Sequence, residues 1–87
     1  MPQVYLLHCS DNTYYTGWAT DVNKRLASHN QGTASRYTRS RLPVTLVYVE
    51  EVLDKSDALK REYQIRHLNR KEKEALAAAY ALKFQEE

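Results

Sequence analysis

The chain has 87 residues, of which 43% are hydrophobic and 28% are charged, so we expect a single globular domain over residues 1–87. Thirteen Lys and Arg against 11 Asp and Glu give a net charge of +2, which by itself does not indicate a polyanionic partner. The single cysteine, Cys9, excludes an intrachain disulfide. No segment approaches the ~20 apolar residues of a membrane-spanning helix and no signal-like start is present, so we expect a cytoplasmic protein with no membrane partner.

Two β-strands open the predicted fold. Residues 3–9 are rich in Val, Tyr and Leu, residues 14–18 are rich in aromatic side chains, and a polar turn separates them, which predicts an antiparallel hairpin. Alternation places Tyr15 and Gly17 on one face of the second strand. Tyr5 on the first strand is then able to meet Tyr15, either as a packed aromatic pair or as part of a site.

A helix over residues 21–30 is predicted next, with Asp21 or the threonine before it as N-cap. Its buried stripe runs through Leu26 and His29. Arg25 lies beside this stripe and four residues before His29, so the two side chains are able to contact one ligand. His29 is equally typical of a residue that fills the edge of a core.

Residues 31–43 are rich in Gly, Ser and Thr and end in a proline, so we expect a loop. The loop belongs to a stretch, residues 23–48, that contains no Asp or Glu. Its basic residues are Lys24, Arg25, Arg36, Arg39 and Arg41, with Tyr37, Thr38 and Ser40 between them. Guanidinium and hydroxyl groups bind phosphate oxygens, so the stretch is typical of a nucleic-acid contact, but also of an ordinary solvated loop.

One strand and two helices complete the chain. Residues 44–49 are an almost continuous run of β-formers, which predicts the central strand of a small sheet. Helices are predicted over residues 56–68 and, after a capping box of Asn69 and Glu72, over residues 69–83. The element order is therefore ββαβαα.

A carboxylate interrupts the apolar side of the second predicted helix. Glu62 lies between Ala58 and Ile65 on the helical wheel, so we expect it to be half-buried. A buried carboxylate requires a compensating cation. A metal ion and a neighbouring arginine would each meet that requirement.

A series of short motifs runs along the chain in a fixed order. Its first half comprises Val4-Tyr5-Leu6, Tyr15-Thr16-Gly17, Asp21, Arg25 and His29-Asn30. Its second half comprises Gly32, residues 37–43 (YTRSRLP), residues 46–48 (LVY) and residues 58–62 (ALKRE). In this order and with these gaps the chain resembles the GIY-YIG nuclease superfamily, and within it the small stand-alone UPF0213-like group, over about residues 3–76.

The resemblance implies an α+β fold, a small three-stranded antiparallel sheet flanked by helices, and metal-dependent hydrolysis of phosphodiester bonds in nucleic acid, DNA rather than RNA. It places the two motif tyrosines on Tyr5 and Tyr15, the catalytic arginine on Arg25 and the metal-binding glutamate on Glu62. A histidine often found one turn after that arginine falls on His29. The implied cofactor is Mg²⁺ or Mn²⁺, and the implied setting is DNA repair or processing.

Several roles stay open at this stage. The proton acceptor is Tyr5, Tyr15 or His29, because an unperturbed phenol, with a pKa of about 10, is a poor base at pH 7. Gly17 is expected to let the backbone approach where a side chain would obstruct the site. The expected nucleic-acid contacts are Lys24, Arg36, Tyr37, Arg39 and Arg41.

Two other functions are compatible with the sequence. One is a nucleic-acid-binding module with little or no cleavage. The other is a partner-binding protein that docks another chain through its C-terminal helix, with Tyr80 and Phe84 exposed or half-exposed.

Overall fold

The structure, a computed structural model, describes residues 1–85, and the side chains of residues 1–83. Its strands are β1 (Gln3–His8), β2 (Tyr14–Ala19) and β3 (Thr45–Glu51), and its helices are α1 (Val22–Asn30), α2 (Arg36–Arg39), α3 (Lys55–Arg66) and α4 (Arg70–Gln85). The α+β class, the antiparallel three-stranded sheet and the ββαβαα order of the main elements are confirmed. Helix α2 is an additional element.

The sheet has the order β2-β1-β3, with both pairings antiparallel. The prediction that residues 44–49 form the central strand is wrong, because β3 lies at an edge and β1 lies in the centre. The burial pattern gives the reason. Four successive residues of β1, from Val4 to Leu7, are buried, whereas most of β3 is only half-buried. Strand β1, which is buried on both faces, is also hydrogen-bonded along both edges, to β2 and to β3.

The two faces of β1 belong to two separate hydrophobic clusters, as alternation requires. Tyr5 and Leu7 pack on the α1 side, together with the buried residue Val22. On the other face lies a second cluster, Val4, Leu6, Ala58 and Ile65, which joins the sheet to α3. The sheet is therefore covered by α1 and α2 on one side and by α3 and α4 on the other.

Local capping explains where most helices begin. Asp21 is the N-cap of α1 and accepts a hydrogen bond from the Lys24 backbone N–H, and Asn69 and Glu72 form the predicted reciprocal capping box at α4. The prediction of a continuous loop over residues 31–43 is wrong at α2. There, the Ser35 hydroxyl caps a four-residue helix by accepting from the backbone of Tyr37 and Thr38.

Helix α4 packs on the sheet through an aromatic contact. The half-buried ring of Tyr80 lies 5.7 Å, centroid to centroid, from the ring of Tyr48 on β3. The predicted exposure of Phe84 lies outside the described side chains. Among residues 1–85, no helix combines the length and the apolar composition needed to cross a bilayer.

Candidate active-site cleft

A buried chain of hydrogen bonds joins β1, α1 and α2. The Tyr5 hydroxyl lies 2.8 Å from Nε2 of His29, and Nδ1 of the same imidazole lies 2.8 Å from the Thr38 hydroxyl. All three side chains are almost completely buried, at 2%, 1% and 0% exposure. His29 therefore fills the edge of the core and contacts a motif tyrosine at the same time, so the two interpretations of this residue are compatible.

Gly17 lies opposite Tyr5 in the β1–β2 register, and the tyrosine ring covers it. A Cβ atom at this position would lie 2.6 Å from the Tyr5 hydroxyl oxygen and 2.8 Å from its Cζ. Such contacts are too short for any side chain. The structure thus gives a physical reason for glycine here, which is the approach of an aromatic ring to the backbone.

Tyr15 connects the buried chain to the surface. Its ring contacts the His29 ring edge-on at 5.2 Å between centroids, and the Tyr5 ring lies 6.5 Å away. On its outer side Tyr15 stacks with Tyr37 at 6.0 Å and an interplanar angle of 27°. Because Tyr15 is only half-buried, it is the motif tyrosine that faces solvent.

A cleft of about 310 Å³ opens beside the edge strand β2. Its lining comes from β2, α2, α3 and α4 and consists of Tyr14, Tyr15, Thr16, Tyr37, Glu62, Arg66 and Lys73. The Thr16 hydroxyl is buried at this cleft and has no hydrogen-bond partner among the described residues. The cleft thus brings a motif tyrosine and the predicted metal-binding glutamate to one surface.

Glu62 has little contact with solvent and is paired. Its side chain is 16% exposed, and its Oε1 lies 3.2 Å from Nη2 of Arg66, one helical turn later. Within residues 1–83, no group of three or more His, Cys, Asp or Glu side chains is placed to hold a metal ion. A single carboxylate still fits Mg²⁺ or Mn²⁺, because such ions keep several water ligands and are commonly bound by one or two carboxylates together with substrate phosphates.

Arg25 is exposed on α1 and lines a second cleft, of about 230 Å³, with Lys24 and Asp21, so it does not line the cleft of Tyr15 and Glu62. Its charge still reaches the buried residues. Burial raises the pKa of Tyr5 well above its usual value, the neighbouring phenol of Tyr15 and the Glu62 carboxylate raise it further, and Arg25 opposes them. Burial, assisted by Arg25, lowers the pKa of His29. Of the five predicted catalytic or metal-binding groups, the four other than Tyr5 therefore influence the Tyr5 hydroxyl, His29 by a hydrogen bond and the other three through their charge.

The predicted nucleic-acid contacts differ in their surroundings. Lys24, Arg36 and Arg39 are exposed to solvent. Arg41, in contrast, is held by an ion pair to Asp11 at 2.9 Å, and its guanidinium lies 3.8 Å from the centroid of the Tyr37 ring. Arg41 thus fixes the α2 region to the β1–β2 turn and holds Tyr37 beside the cleft.

Two residues of this region were missed by sequence reasoning, and a third was predicted in a different role. Arg66 follows Glu62 by four residues, and this helical spacing was a readable signal for an ion pair. Lys73 on α4 also lines the cleft, but it lies in a segment of mixed charge, in which the sequence gives no reason to select one lysine. Thr38 was expected among the hydroxyl groups available to phosphate, but it is completely buried and bonded to His29, because α2 turns it inward.

The comparison with known families agrees with this geometry. The family model described as the GIY-YIG catalytic domain matches residues 1–75. The chain belongs to the GIY-YIG family. A UPF0213 protein of Halobacterium salinarum is 54% identical over 76 residues, which cover 87% of this chain and 99% of that protein. A UPF0213 protein of Staphylococcus haemolyticus is 47% identical over 70 residues, which cover 80% of this chain and 85% of that protein.

Two solved structures are similar to this GIY-YIG chain. The solution NMR structure of a UPF0213 protein from Bacillus halodurans has 40% identity and a TM-score of 0.56, covering 91% of this chain and 85% of that chain. A second solution NMR structure, from E. faecalis, has 35% identity and a TM-score of 0.59, covering 92% and 85%. The predicted membership of the GIY-YIG superfamily and its UPF0213 group is therefore confirmed. The superfamily is one of endonucleases, whose members typically use divalent metals and act on nucleic acid, whereas the UPF0213 names state no activity.

Proposed function

We propose that this GIY-YIG protein is a metal-dependent nuclease that hydrolyses phosphodiester bonds in DNA at the cleft beside β2. One observation carries the proposal. Tyr15 and Glu62 line the same cleft, and the Tyr15 ring contacts His29 of the hydrogen-bonded pair of Tyr5 and His29. A phenol and a carboxylate in one cleft, with a buried imidazole against the phenol ring, are groups that phosphoryl hydrolysis can use.

The proposed reaction is attack of water on the scissile phosphate. The water oxygen forms a bond to phosphorus, the bond from phosphorus to the leaving oxygen breaks, and the leaving oxygen takes a proton from solvent. Tyr15, which faces the cleft, orients the attacking water. In this proposal the proton of that water passes to the hydrogen-bonded pair of Tyr5 and His29, whose imidazole is neutral because burial lowers its pKa.

Arg25 and Glu62 have complementary roles in this proposal. Arg25 binds a non-bridging phosphate oxygen, for which its planar, permanently charged guanidinium is suited. A divalent ion, Mg²⁺ or Mn²⁺, held by Glu62 would supply further positive charge at the scissile phosphate. Since Glu62 is the carboxylate that lines the cleft, we expect metal affinity to be weak without DNA.

Two cations, Arg66 of α3 and Lys73 of α4, line the cleft. Three more exposed cations, Lys24, Arg36 and Arg39, lie on α1 and α2. The cleft volume of about 310 Å³ is at the lower end of the ~300–1,000 Å³ range of small-ligand pockets. We therefore propose that a single strand enters the cleft and that the substrate is single-stranded or branched DNA, such as arises in repair and processing.

A nucleic-acid-binding module with little cleavage is the second candidate. The observation that favours it is the ion pair of Glu62 with Arg66, which already compensates the carboxylate without a metal. Such a module would bind DNA with strong salt dependence, because its affinity would come from cations that displace counterions from phosphates.

The two candidates are separated by cleavage assays on labelled duplex, single-stranded and branched DNA, with Mn²⁺, with Mg²⁺ and with chelator. We expect metal-dependent cutting that falls by about 100-fold or more in Glu62→Gln, the loss typical of a removed electrostatic contribution to the transition state. Glu74→Gln is the matched control, since Glu74 also pairs with an arginine at i,i+4, on α4 and outside the cleft. Cutting by Glu62→Gln at the wild-type rate contradicts the metal role, and salt-sensitive binding without cutting of any substrate supports the binding module.

A further inference from the structure

Thr38 is a buried polar residue that the proposed reaction has not yet used. Its side chain is 0% exposed, and its hydroxyl lies 2.8 Å from Nδ1 of His29 and 3.4 Å from the Ser35 carbonyl oxygen. Ser35 holds Thr38 by two contacts. Its hydroxyl, as the cap of α2, accepts from the Thr38 backbone N–H, and its carbonyl oxygen faces the Thr38 hydroxyl. The hydroxyl oxygen of Thr38 is thus held at a fixed position beside Nδ1 of His29.

Two arrangements of protons are compatible with the distances along this chain. In the first, Tyr5 donates to Nε2 of His29, Nδ1–H donates to Thr38, and Thr38 donates to the Ser35 carbonyl. In the second, Thr38 donates to Nδ1 and Nε2–H donates to Tyr5. The imidazole is neutral in both, so they differ only in which ring nitrogen carries the hydrogen.

Hydrogen-bond satisfaction separates the two arrangements. The first uses all three donors in the chain, although its bond to the Ser35 carbonyl is long. The second leaves the Tyr5 hydroxyl hydrogen without an acceptor, in a residue that is 2% exposed and whose hydroxyl forms its described hydrogen bond with His29. An unpaired buried donor costs more free energy than one weak hydrogen bond contributes. The first arrangement is therefore favoured.

We propose that Thr38 is a positioning residue that holds His29 as the Nδ1–H tautomer, so that Nε2 is free to accept the proton of Tyr5. The proposal rests on the proposed nuclease function for its catalytic consequence, but the tautomer itself does not depend on activity. Within the pair, Tyr5 is then the donor and His29 the acceptor of the hydrogen bond that joins them. The groups that face His29 in this arrangement are Tyr5, Tyr15, Thr38 and the charge of Arg25.

The tautomer is measured directly by two-bond ¹H–¹⁵N correlation NMR of the imidazole in the full chain at pH 7.5. In the wild-type protein we expect Nδ1 of His29 to give the protonated, pyrrole-type signal and Nε2 the unprotonated, pyridine-type signal. The opposite pattern overturns the proposal. This measurement needs no variant, so it decides the question even if substitution of a buried threonine prevents folding.

Two variants test the role of Thr38. Thr38→Val keeps the shape of the side chain but removes the acceptor for Nδ1–H, so we expect the His29 signals to shift toward the Nε2–H tautomer. Thr38→Ser restores an acceptor and should restore the wild-type pattern. An unchanged tautomer in folded Thr38→Val contradicts the proposal.

Activity adds an independent readout. We expect the rate of metal-dependent cleavage to fall about 10-fold or more in Thr38→Val and to recover in Thr38→Ser, because proton transfer by a positioned group typically contributes at least ~10²-fold. A fall in rate without a change of tautomer overturns the positioning role. If no DNA substrate is cut by the wild-type protein, the nuclease proposal fails, while the NMR result still confirms or contradicts the assignment of the tautomer.

Discussion

At the scale of single residues, Glu62 determines which cation the cleft binds, because its carboxylate lines the cleft beside Arg66. Its carboxylate is 16% exposed, and Arg66 supplies the compensating cation at 3.2 Å. The sequence indicated that Glu62 needs a cation, and it left open whether an arginine or a metal ion provides it. The structure contains the arginine. A divalent ion at Glu62 would therefore have to compete with Arg66, and a DNA phosphate that attracts Arg66 would assist it.

This competition predicts that Arg66→Ala strengthens metal binding in the absence of DNA. Loss of a partly exposed ion pair is worth up to ~1 kcal/mol, so we expect the affinity for Mn²⁺ to rise by about fivefold. The measurement is a titration followed by electron paramagnetic resonance of free Mn²⁺. Arg70→Ala is the matched control, because Arg70 pairs with Glu74 at 4.0 Å on α4. Equal affinity in Arg66→Ala and the wild type, or an equal gain in Arg70→Ala, would show that Arg66 does not oppose the metal.

At the scale of elements, capping was readable from the sequence and helix α2 was not. Asn69 and Glu72 predicted the start of α4 correctly, because the capping box consists of local hydrogen bonds between residues three apart. Helix α2 has only four residues, which is too short for helical periodicity to be detected. The burial of Thr38, and with it the hydrogen bond to His29, therefore could not be predicted from the composition of residues 31–43.

Substitutions of the two arginines in α2 and of Arg41, which follows it, are expected to have different effects. Arg36→Ala and Arg39→Ala should each weaken binding of single-stranded DNA and reduce the slope of log affinity against log salt by about 0.7, with little effect on folding. Arg41→Ala should instead lower the free energy of unfolding by about 1 kcal/mol, because it removes the Asp11 ion pair and the contact with the Tyr37 ring.

Fluorescence anisotropy over a salt series and urea unfolding measure these two effects separately. The assignment of Arg36 and Arg39 to phosphate contacts is wrong if their substitution leaves the salt slope unchanged. The structural role of Arg41 is wrong if Arg41→Ala unfolds at the wild-type urea concentration.

At the scale of the whole molecule, the faces of the sheet were predictable and the order of its strands was not. Alternation along β2 correctly placed Tyr15 and Gly17 on one face, where both lie against Tyr5, because side-chain direction has a period of two residues. Strand order depends on which strand is covered on both faces, and an apolar run such as residues 44–49 fits a central or an edge strand. The approach of Tyr15 and Glu62 to one cleft follows from the packing of α3 on β2, so only the family resemblance indicated it beforehand.

The burial of His29 makes the stability of the whole molecule depend on pH. Burial, with a smaller effect of Arg25, lowers the pKa of His29 in the folded protein, whereas in the unfolded chain its pKa is about 6.5. As the pH falls below ~6.5, the unfolded chain takes up a proton that the folded protein binds less tightly, so the free energy of unfolding decreases. Stability contributed by neutral His29 is fully present above that pH. We therefore expect the urea midpoint of the wild-type protein to fall between about pH 7.5 and 5.5.

His29→Gln is the control for this dependence, because glutamine keeps a polar side chain at the site but does not titrate. The variant should be less stable at pH 7.5, and its urea midpoint should change little over the same interval.

Asp11 affects the free energy of unfolding over a different pH range. The hydrogen bond from the Thr13 hydroxyl lowers the pKa of its carboxyl, so the stability that it contributes is lost only below about pH 4, near the unfolded value. A slope between pH 7.5 and 5.5 that is as steep in His29→Gln as in the wild type would therefore contradict the buried, neutral imidazole on which the proposed proton path depends.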